Sequence, residues 1–77
     1  MEINTIVLQI LEENGIYISE DLDADLDMDS ITFISIIVCF ENQLGIYIPD
    51  EYLTIDKFKT INDFVKNITE IIEGQQF

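Results

Sequence analysis

The sequence predicts an all-α fold: a small bundle of three main helices and one short helix, with a long loop between helices one and two. Three segments repeat apolar residues at intervals of three and four, which gives a helix one buried face. Each segment ends near a glycine, as helices commonly do. With 77 residues, the chain has material for one core. We therefore expect a single domain over residues 1–77, with helices near 2–14, 30–44, 51–55 and 60–73.

The first helix is predicted from an apolar stripe that stops at Asn14-Gly15. Its members fall at i, i+3, i+4, i+7 and i+8: Ile3, Ile6, Val7, Ile10 and Leu11. Within the segment from Ile16 to Met28, the apolar residues Leu22, Ala24, Leu26 and Met28 alternate with aspartates, which is a strand pattern. Aspartate is a poor strand former, and the sequence offers no partner strand. We expect an extended loop with its leucines turned inward.

The second helix is predicted to start at Asp29-Ser30, since either residue can cap a helix N-terminus. It continues from Ile31 to Leu44 without proline or glycine and ends at Gly45. Its apolar residues cover more than the stripe of about 100° that one core-facing side requires. Part of this apolar surface is therefore expected to be exposed, which is typical of a docking surface.

The last two elements are predicted from their start signals. Pro49-Asp50-Glu51 can open a short helix near 51–55. Thr60 and Asp63 resemble a capping box with Asp in the place of Glu or Gln, and they begin a final helix that ends near Gly74. Its apolar residues keep helical spacing: Ile61, Phe64, Val65, Ile68, Ile71 and Ile72.

Charge and composition exclude several classes of function. Sixteen acidic residues against three lysines give a net charge of −13, which would repel nucleic acid and anionic membranes and favours basic protein partners. The chain has no histidine and one cysteine, which removes the usual zinc sites and the Ser-His-Asp triad. We therefore expect no enzyme, and Cys39 is expected to be a small buried apolar residue.

The tripeptide Asp29-Ser30-Ile31, at the start of a helix and after an acidic loop, resembles a known family. It is similar to the D-S-[LIF] signature of the acyl carrier and peptidyl carrier superfamily. The resemblance continues through the second helix, the I-P-D-E turn at 48–51 and the T-I-N-D-F-V sequence at 60–65. It therefore covers nearly the whole chain, as a free-standing carrier.

The resemblance implies a four-helix bundle of the acyl-carrier type that bears a covalent 4′-phosphopantetheine. It identifies Ser30 as the attachment residue and Asp29 as a residue that supports transfer from coenzyme A by a phosphopantetheinyl transferase. A phosphodiester on Ser30 would lie at a helix N-terminus, where free N–H groups and the helix dipole favour an anion. The arm ends in a thiol that holds an acyl or aminoacyl group as a thioester, so separate enzymes supply the catalytic residues.

The implied partners are a loading enzyme of adenylation or acyltransferase type and downstream condensing, tailoring or transfer enzymes. By the same resemblance, the second helix divides into partner-binding positions (Ile31, Ser35, Val38 and Glu41) and core positions (Ile34, Ile37, Phe40 and Leu44). Met28 replaces a common glycine, and Glu41 is the only acid of this helix. These departures favour a specialised pathway, of polyketide or nonribosomal peptide type, over housekeeping fatty-acid synthesis. The alternative is a D-alanyl carrier of cell-wall modification.

Two other readings of the acidic segment compete with a carrier. An acidic adaptor would bind a basic partner without any cofactor, Ser30 would only cap the helix, and Ser30→Ala would cost about 1 kcal/mol of stability. A calcium-binding EF-hand loop starting at Asp23 fails, because Met28 stands where glycine is needed and Ile34 where the bidentate glutamate is needed. No specific metal site is expected, only weak divalent binding at Asp23, Asp25 and Asp27.

The sequence also predicts where the protein is located and how its clustered acids titrate. The N-terminus has no basic region, and no apolar run approaches the roughly 18 residues of a membrane span, so we expect a cytoplasmic monomer without membrane insertion. The segment from Glu20 to Asp29 carries six acids. Their mutual repulsion predicts that some of their pKa values are raised.

Overall fold

A computed structural model describes residues 2–74 of the chain. They form three α-helices, α1 (Ile3–Glu13), α2 (Ser30–Leu44) and α3 (Ile61–Gly74), and two 3-10 turns, Asp50–Tyr52 and Ile55–Lys57. Every regular element in this range is helical, so the all-α prediction is confirmed. The three main helices begin and end within one residue of their predicted bounds. The short helix predicted at 51–55 is instead the pair of 3-10 turns.

The core joins all three helices, with α1 packed against both α2 and α3. Phe58, from the segment between the second 3-10 turn and α3, lies at its centre. Its ring centroid is 5.5 Å from that of Phe33 and 4.8 Å from that of Phe64, which in turn is 5.8 Å from Phe40. These four rings tie α2 and α3 together through a residue that belongs to neither helix.

The buried stripe of α2 differs from the predicted one. It consists of Phe33, Ile36, Ile37 and Phe40. Ile34, which was expected in the core, is 50% exposed, and Leu44 is half-buried. The helix is thus rotated relative to the prediction: Phe33 and Ile36 are buried in place of Ile34 and Leu44, while Ile37 and Phe40 lie in the core as predicted. Burying the Phe33 ring removes more apolar surface from water than burying Ile34 would.

The same four residues, Gly-Ile-Tyr-Ile, come after α1 at 15–18 and after α2 at 45–48. Both glycines adopt left-handed backbone angles, with φ of 81° at Gly15 and 64° at Gly45. This conformation turns the chain out of the helix, and Gly45 N–H donates to the Glu41 carbonyl at 2.9 Å. Residues with a Cβ rarely adopt it. Both helices are therefore stopped by a local signal.

Replacing Gly45 with alanine is expected to lower the free energy of unfolding by about 1 kcal/mol, because its φ is left-handed and a Cβ is disfavoured there. No atom lies within 4 Å of the added Cβ, so the cost comes from the backbone alone. Gly45→Asn should cost less, since asparagine tolerates this region. Urea denaturation would measure both variants. Equal stability of wild type and Gly45→Ala would contradict this account of the helix end.

The loop between α1 and α2 is fastened to the start of α3. Leu26 N–H donates to the Lys59 carbonyl at 2.8 Å, and Asn62 N–H donates to the Leu22 carbonyl at 3.1 Å. Leu26 and Met28 pack partly buried against the core, as the prediction of an inward-facing loop requires. The loop is therefore held by two backbone hydrogen bonds, although it forms no strand.

Leu22 is the exception to this inward orientation, because its side chain is 40% exposed. It lies in a tight turn in which Ala24 N–H donates to the Asp21 carbonyl at 3.1 Å. The backbone carbonyl of Leu22 is used to anchor the loop, and its side chain points partly to solvent. The prediction that every leucine of the loop faces inward is wrong at this residue.

The predicted capping box at the start of α3 is confirmed. Asp63 N–H donates to Thr60 Oγ1 at 3.0 Å, and Thr60 N–H donates back to Asp63 Oδ2 at 3.3 Å. The same carboxylate oxygen accepts the Lys59 N–H at 3.1 Å. Aspartate thus takes the role usually filled by glutamate or glutamine, and α3 begins where the sequence indicates.

Candidate functional site

The start of α2 assigns different roles to Asp29 and Ser30. Asp29 has extended backbone angles, its Oδ1 accepts the Thr32 N–H at 2.7 Å, and its carbonyl accepts the Phe33 N–H at 2.9 Å. Asp29 is therefore the N-cap. Ser30 is the first residue of the helix and is exposed. Because Asp29 satisfies the cap, the Ser30 hydroxyl is not needed to hold the helix.

The backbone N–H groups at the start of α2 differ in whether they have a hydrogen-bond acceptor. Within residues 2–74, the N–H groups of Ser30 and Ile31 have no acceptor, whereas those of Thr32 and Phe33 donate to Asp29. Free N–H groups at the first turn and the positive end of the dipole favour an anion. An exposed hydroxyl at this position can carry an anionic group that these N–H groups would stabilise.

Asp29 stays ionised at neutral pH. The hydrogen bond from the Thr32 backbone N–H is the largest cause that holds the pKa of this carboxyl below its ordinary value, and slight desolvation opposes it only in part. Repulsion among the loop acids predicts that some of their pKa values are raised, and Asp29 is not one of these. A hydrogen bond to the charged form of a carboxyl favours that form. A negative charge is therefore fixed next to the Ser30 hydroxyl.

This pKa shift predicts how the capping charge affects stability. A carboxyl whose folded pKa is depressed stabilises the fold above its unfolded pKa, near 3.8, and loses that contribution as pH falls through the folded pKa. Asp29→Asn keeps a capping oxygen without the charge. Wild type should therefore be the more stable protein at pH 7, and the two stabilities should converge as the pH falls from about 3.8 through the lower folded pKa of Asp29. Urea denaturation at several pH values measures the difference, and a difference that stays constant through the acid range would contradict the prediction.

The aspartates before Asp29 form separate contacts and do not converge on one point. Asp23 Oδ1 accepts from Asn62 Nδ2 at 2.6 Å, and Asp25 Oδ1 accepts the Asp27 N–H at 3.0 Å. Asp27 has a left-handed φ of 48°, which aspartate tolerates better than most residues. Across residues 2–74, no three acidic or cysteine side chains are grouped to hold a metal ion. Weak divalent binding at Asp23, Asp25 and Asp27 remains a prediction.

A cleft of about 160 Å³ lies beside the segment that leads into Ser30. It is lined by Asp25, Asp27, Met28, Ile55, Phe58 and Lys59. No local sequence pattern indicates this cleft, because its two walls are separated by some 30 residues and only the fold brings them together. Carboxylates, one ammonium group and apolar side chains share its lining. Lys59 Nζ also lies 3.8 Å from Asp56 Oδ1.

The four predicted partner-binding residues of α2 have different surroundings. Ile31 is 83% exposed and Val38 is 46% exposed. The Ser35 hydroxyl is also on the surface and donates to Asn14 Oδ1 at 2.9 Å. Glu41 is half-buried, and its Oε2 accepts the Ile48 N–H at 3.0 Å. Ile31, Ser35 and Val38 thus lie together on the exposed side of α2. Glu41 lies near the end of the helix, where its carboxylate is hydrogen-bonded to the Ile48 N–H.

Cys39 lies on the side of α2 that faces the end of α1. It is a half-buried free thiol, and its Sγ accepts a hydrogen bond from Asn14 Nδ2 at 3.7 Å. Asn14 Nδ2 also donates to the Ile10 carbonyl at 2.8 Å. Cys39 is therefore less buried than expected, and its thiol contacts an amide as well as apolar groups.

Residues 2–68 match the family described as "Phosphopantetheine attachment site". The chain belongs to this family. It is 28% identical over 67 residues to the acyl carrier protein of Phytoplasma mali, a match that covers 87% of this chain and 77% of that protein. Identity is 40% over 52 residues with the acyl carrier protein of Micrococcus luteus, covering 68% of this chain and 57% of that protein. It is 30% over 60 residues with that of Petrotoga mobilis, covering 78% and 68%. No solved structure is significantly similar to the chain.

Family membership confirms the carrier assignment drawn from the Asp-Ser-Ile tripeptide. The protein is a phosphopantetheine-bearing carrier of the acyl carrier protein family, which holds intermediates and does not catalyse their reactions. Proteins of this family are modified by phosphopantetheinyl transferases and serve biosynthetic enzymes. Among residues 2–74, no helix combines the length and apolar character needed to cross a membrane.

Proposed function

We propose that Ser30 is the residue of this carrier that bears 4′-phosphopantetheine. The main support for this proposal is that Ser30 is exposed at the first position of α2 while Asp29 caps the helix. In the transfer, the Ser30 oxygen forms the new bond to phosphorus and the adenosine bisphosphate part of coenzyme A leaves. The hydroxyl proton passes to a base of the transferase, since this chain has no histidine to accept it.

The residues around Ser30 fit the attached phosphate. The free N–H groups of Ser30 and Ile31 face the region where a phosphodiester oxygen would lie, and the dipole of the 15-residue helix α2 favours negative charge at its start. Asp29 supports the transfer as an ionised carboxylate next to the reacting hydroxyl, where it can help to hold the magnesium ion of the transferase. The thioester chemistry belongs to the thiol of the arm.

The proposed carrier holds an acyl or aminoacyl intermediate and presents it to a loading enzyme, of adenylation or acyltransferase type, and then to condensing, tailoring or transfer enzymes. The name shared by the relatives, acyl carrier protein, supports an acyl cargo. The surface of α2, whose one charged residue is the half-buried Glu41, supports a specialised pathway of polyketide or nonribosomal peptide type. D-Alanine for cell-wall modification is the alternative cargo.

The assembly and location of the carrier are also proposals. Residues 1–77 act as one domain that works as a cytoplasmic monomer, since a net charge of −13 opposes association of two copies. Partners bind the exposed side of α2 through Ile31, Ser35 and Val38, with Glu41 at the far end of the same face. This surface adjoins Ser30, so a bound enzyme reaches the arm.

Intact mass spectrometry tests the attachment. The purified protein is incubated with coenzyme A, magnesium and a broad-specificity phosphopantetheinyl transferase, and one phosphopantetheine increment is expected. Fragmentation of the modified peptide should place the increment on Ser30 and not on either of the other serines, Ser19 and Ser35. Absence of an increment, in a protein that circular dichroism shows to be folded and with an enzyme that modifies a control carrier, would reject the proposal.

A further inference from the structure

We propose that Asn14 is a site of spontaneous deamidation, at which water replaces the side-chain amide by a carboxylate, and that the contact between α1 and α2 controls its rate. The product in turn weakens this contact. Asn14 is the only asparagine of the sequence that precedes a glycine. Glycine leaves the backbone nitrogen after the asparagine sterically open, because it has no Cβ. This reaction is independent of whether Ser30 bears phosphopantetheine.

Deamidation at this position needs only the chain and one water molecule. The Gly15 backbone nitrogen forms a bond to Cγ of Asn14, the Cγ–Nδ2 bond breaks, and ammonia leaves with the proton of the Gly15 N–H. Water then opens the resulting five-membered succinimide at either of its carbonyl carbons. One opening gives aspartate at position 14, and the other gives isoaspartate, whose side-chain carbon has become part of the main chain. No oxidant or reductant takes part.

The backbone of the folded protein keeps the reacting atoms apart. Ring closure requires the Gly15 nitrogen to point in the direction of Cβ of Asn14 about the Cα–C bond. The observed ψ of Asn14 is 14°, so the Gly15 nitrogen points instead in the direction of the Asn14 backbone nitrogen. Gly15 N–H also donates to the Glu12 carbonyl, and Ile16 N–H donates to the Leu11 carbonyl, both at 3.0 Å. Rotating ψ into the reactive range breaks both hydrogen bonds.

The Asn14 side chain is held by three hydrogen bonds where α1 meets α2. Its Nδ2 donates to the Ile10 carbonyl at 2.8 Å and to Cys39 Sγ at 3.7 Å, and its Oδ1 accepts the Ser35 hydroxyl at 2.9 Å. The amide must leave these partners before Cγ can meet the Gly15 nitrogen, so the end of α1 has to open locally. The rate of deamidation therefore follows the small population of molecules in which this contact is open.

The product of the reaction cannot restore the original contact. A carboxylate has no N–H to donate, so the hydrogen bonds to the Ile10 carbonyl and to Cys39 Sγ are lost. Its negative charge lies at the C-terminal end of α1, directly after Glu12 and Glu13, where the helix dipole and the neighbouring acids disfavour it. Isoaspartate also lengthens the main chain at the helix end. Each opening that leads to reaction thus leaves α1 more weakly attached to α2.

Ageing of the purified protein, followed by peptide mass spectrometry, tests the inference. Wild type is incubated at neutral pH in native buffer and, separately, in guanidinium chloride that unfolds it. The mass gained when the amide becomes a carboxylate is followed at every asparagine. Asn14 should convert before the other asparagines in both samples. In the folded protein it should convert about tenfold more slowly or less, since several hydrogen bonds must break first.

Ser35→Ala tests whether the contact with α2 controls the rate. The variant lacks the hydrogen bond to Asn14 Oδ1, so deamidation in native buffer should be about two- to tenfold faster, the change in open population expected for the loss of one hydrogen bond. In guanidinium chloride its rate should equal that of wild type. Ser19→Ala, whose hydroxyl is bonded to Asp21 within the loop, is the matched control and should age as wild type does. Circular dichroism checks that each variant is folded.

Asn14→Asp, purified without ageing, tests the effect of the product and should have a lower thermal midpoint than wild type. An equal midpoint would overturn the proposed weakening of the contact. Equal rates in folded and unfolded wild type, or an unchanged rate in folded Ser35→Ala, would show that the contact does not control the reaction. Earlier conversion of another asparagine, or no conversion of Asn14 in the folded proteins, would show that Asn14 is not the site. Phosphopantetheine transfer is assayed separately, so a failure of the proposed function is distinguished from a failure at Asn14.

Discussion

Replacing Ser30 with alanine is expected to abolish phosphopantetheine transfer while leaving the fold intact. The variant lacks the only atom that would form the bond to phosphorus, so the loss should be complete. Stability should change little, because Asp29 caps α2 and alanine is a better helix former than serine. Intact mass after incubation with coenzyme A and transferase measures the first effect, and thermal unfolding measures the second.

Two other serines provide matched controls for this experiment. Ser35→Ala removes the hydrogen bond to Asn14, which should cost about 0.5–1.5 kcal/mol of stability, yet the variant should still gain one phosphopantetheine. Ser19→Ala should be modified like wild type. A phosphopantetheine increment on Ser30→Ala would refute Ser30 as the attachment residue. A loss of about 1 kcal/mol in Ser30→Ala would instead show that Ser30 takes part in capping.

The helices could be predicted because their ends are encoded locally. Gly15 and Gly45 each stop a helix through their own backbone angles, and Thr60 and Asp63 start α3 through hydrogen bonds across one turn. Such signals involve residues within about one turn of one another, so the sequence displays them. The 3-10 form of the segment after Pro49 was not predictable in this way, since proline and acids can start either kind of turn.

The rotation of α2 could not be read from its own sequence. Its apolar residues surround most of the helix, so several stripes are equally consistent with periodicity. The choice depends on Phe58, which packs against Phe33, and on Phe64, which packs against Phe40. Those contacts join residues more than 20 positions apart. They turn Ile34 outward, and this places a third apolar residue on the exposed face.

The candidate site was predictable in its chemistry and less so in its details. Asp29 and Ser30 are adjacent, and both residue types can cap a helix. Only the observed hydrogen bond from the Thr32 N–H to Asp29 shows that Asp29 is the cap and that the Ser30 hydroxyl is not needed for capping. The Ser35 hydroxyl is hydrogen-bonded to Asn14, and the Glu41 carboxylate to the Ile48 N–H in the turn after α2. Hydrogen bonds between residues that are distant in the sequence cannot be predicted from local patterns.

Phe58→Ala is expected to reduce the free energy of unfolding by about 3–5 kcal/mol, the cost of removing a fully buried phenylalanine. Phe58 has no exposed surface and contacts the rings of Phe33 and Phe64. At about 0.05–0.15 kcal/mol per residue, a chain of 77 residues has a total stability of roughly 4–12 kcal/mol. One substitution therefore removes a large share of the stability. Urea denaturation followed by circular dichroism measures it.

The size of this loss depends on Phe58 linking α2 to α3, and two further variants test that dependence. Phe58→Leu keeps most of the buried volume and loses the ring contacts, so it should cost less than Phe58→Ala. Leu53→Ala changes a neighbouring apolar side chain that is 39% exposed and should stay within about 0.5 kcal/mol of wild type. If Phe58→Ala cost no more than Leu53→Ala, the aromatic cluster would not hold the helices together. Because Phe58 also lines the cleft beside Met28, partial unfolding of this variant should be accompanied by a proportional loss of phosphopantetheine transfer.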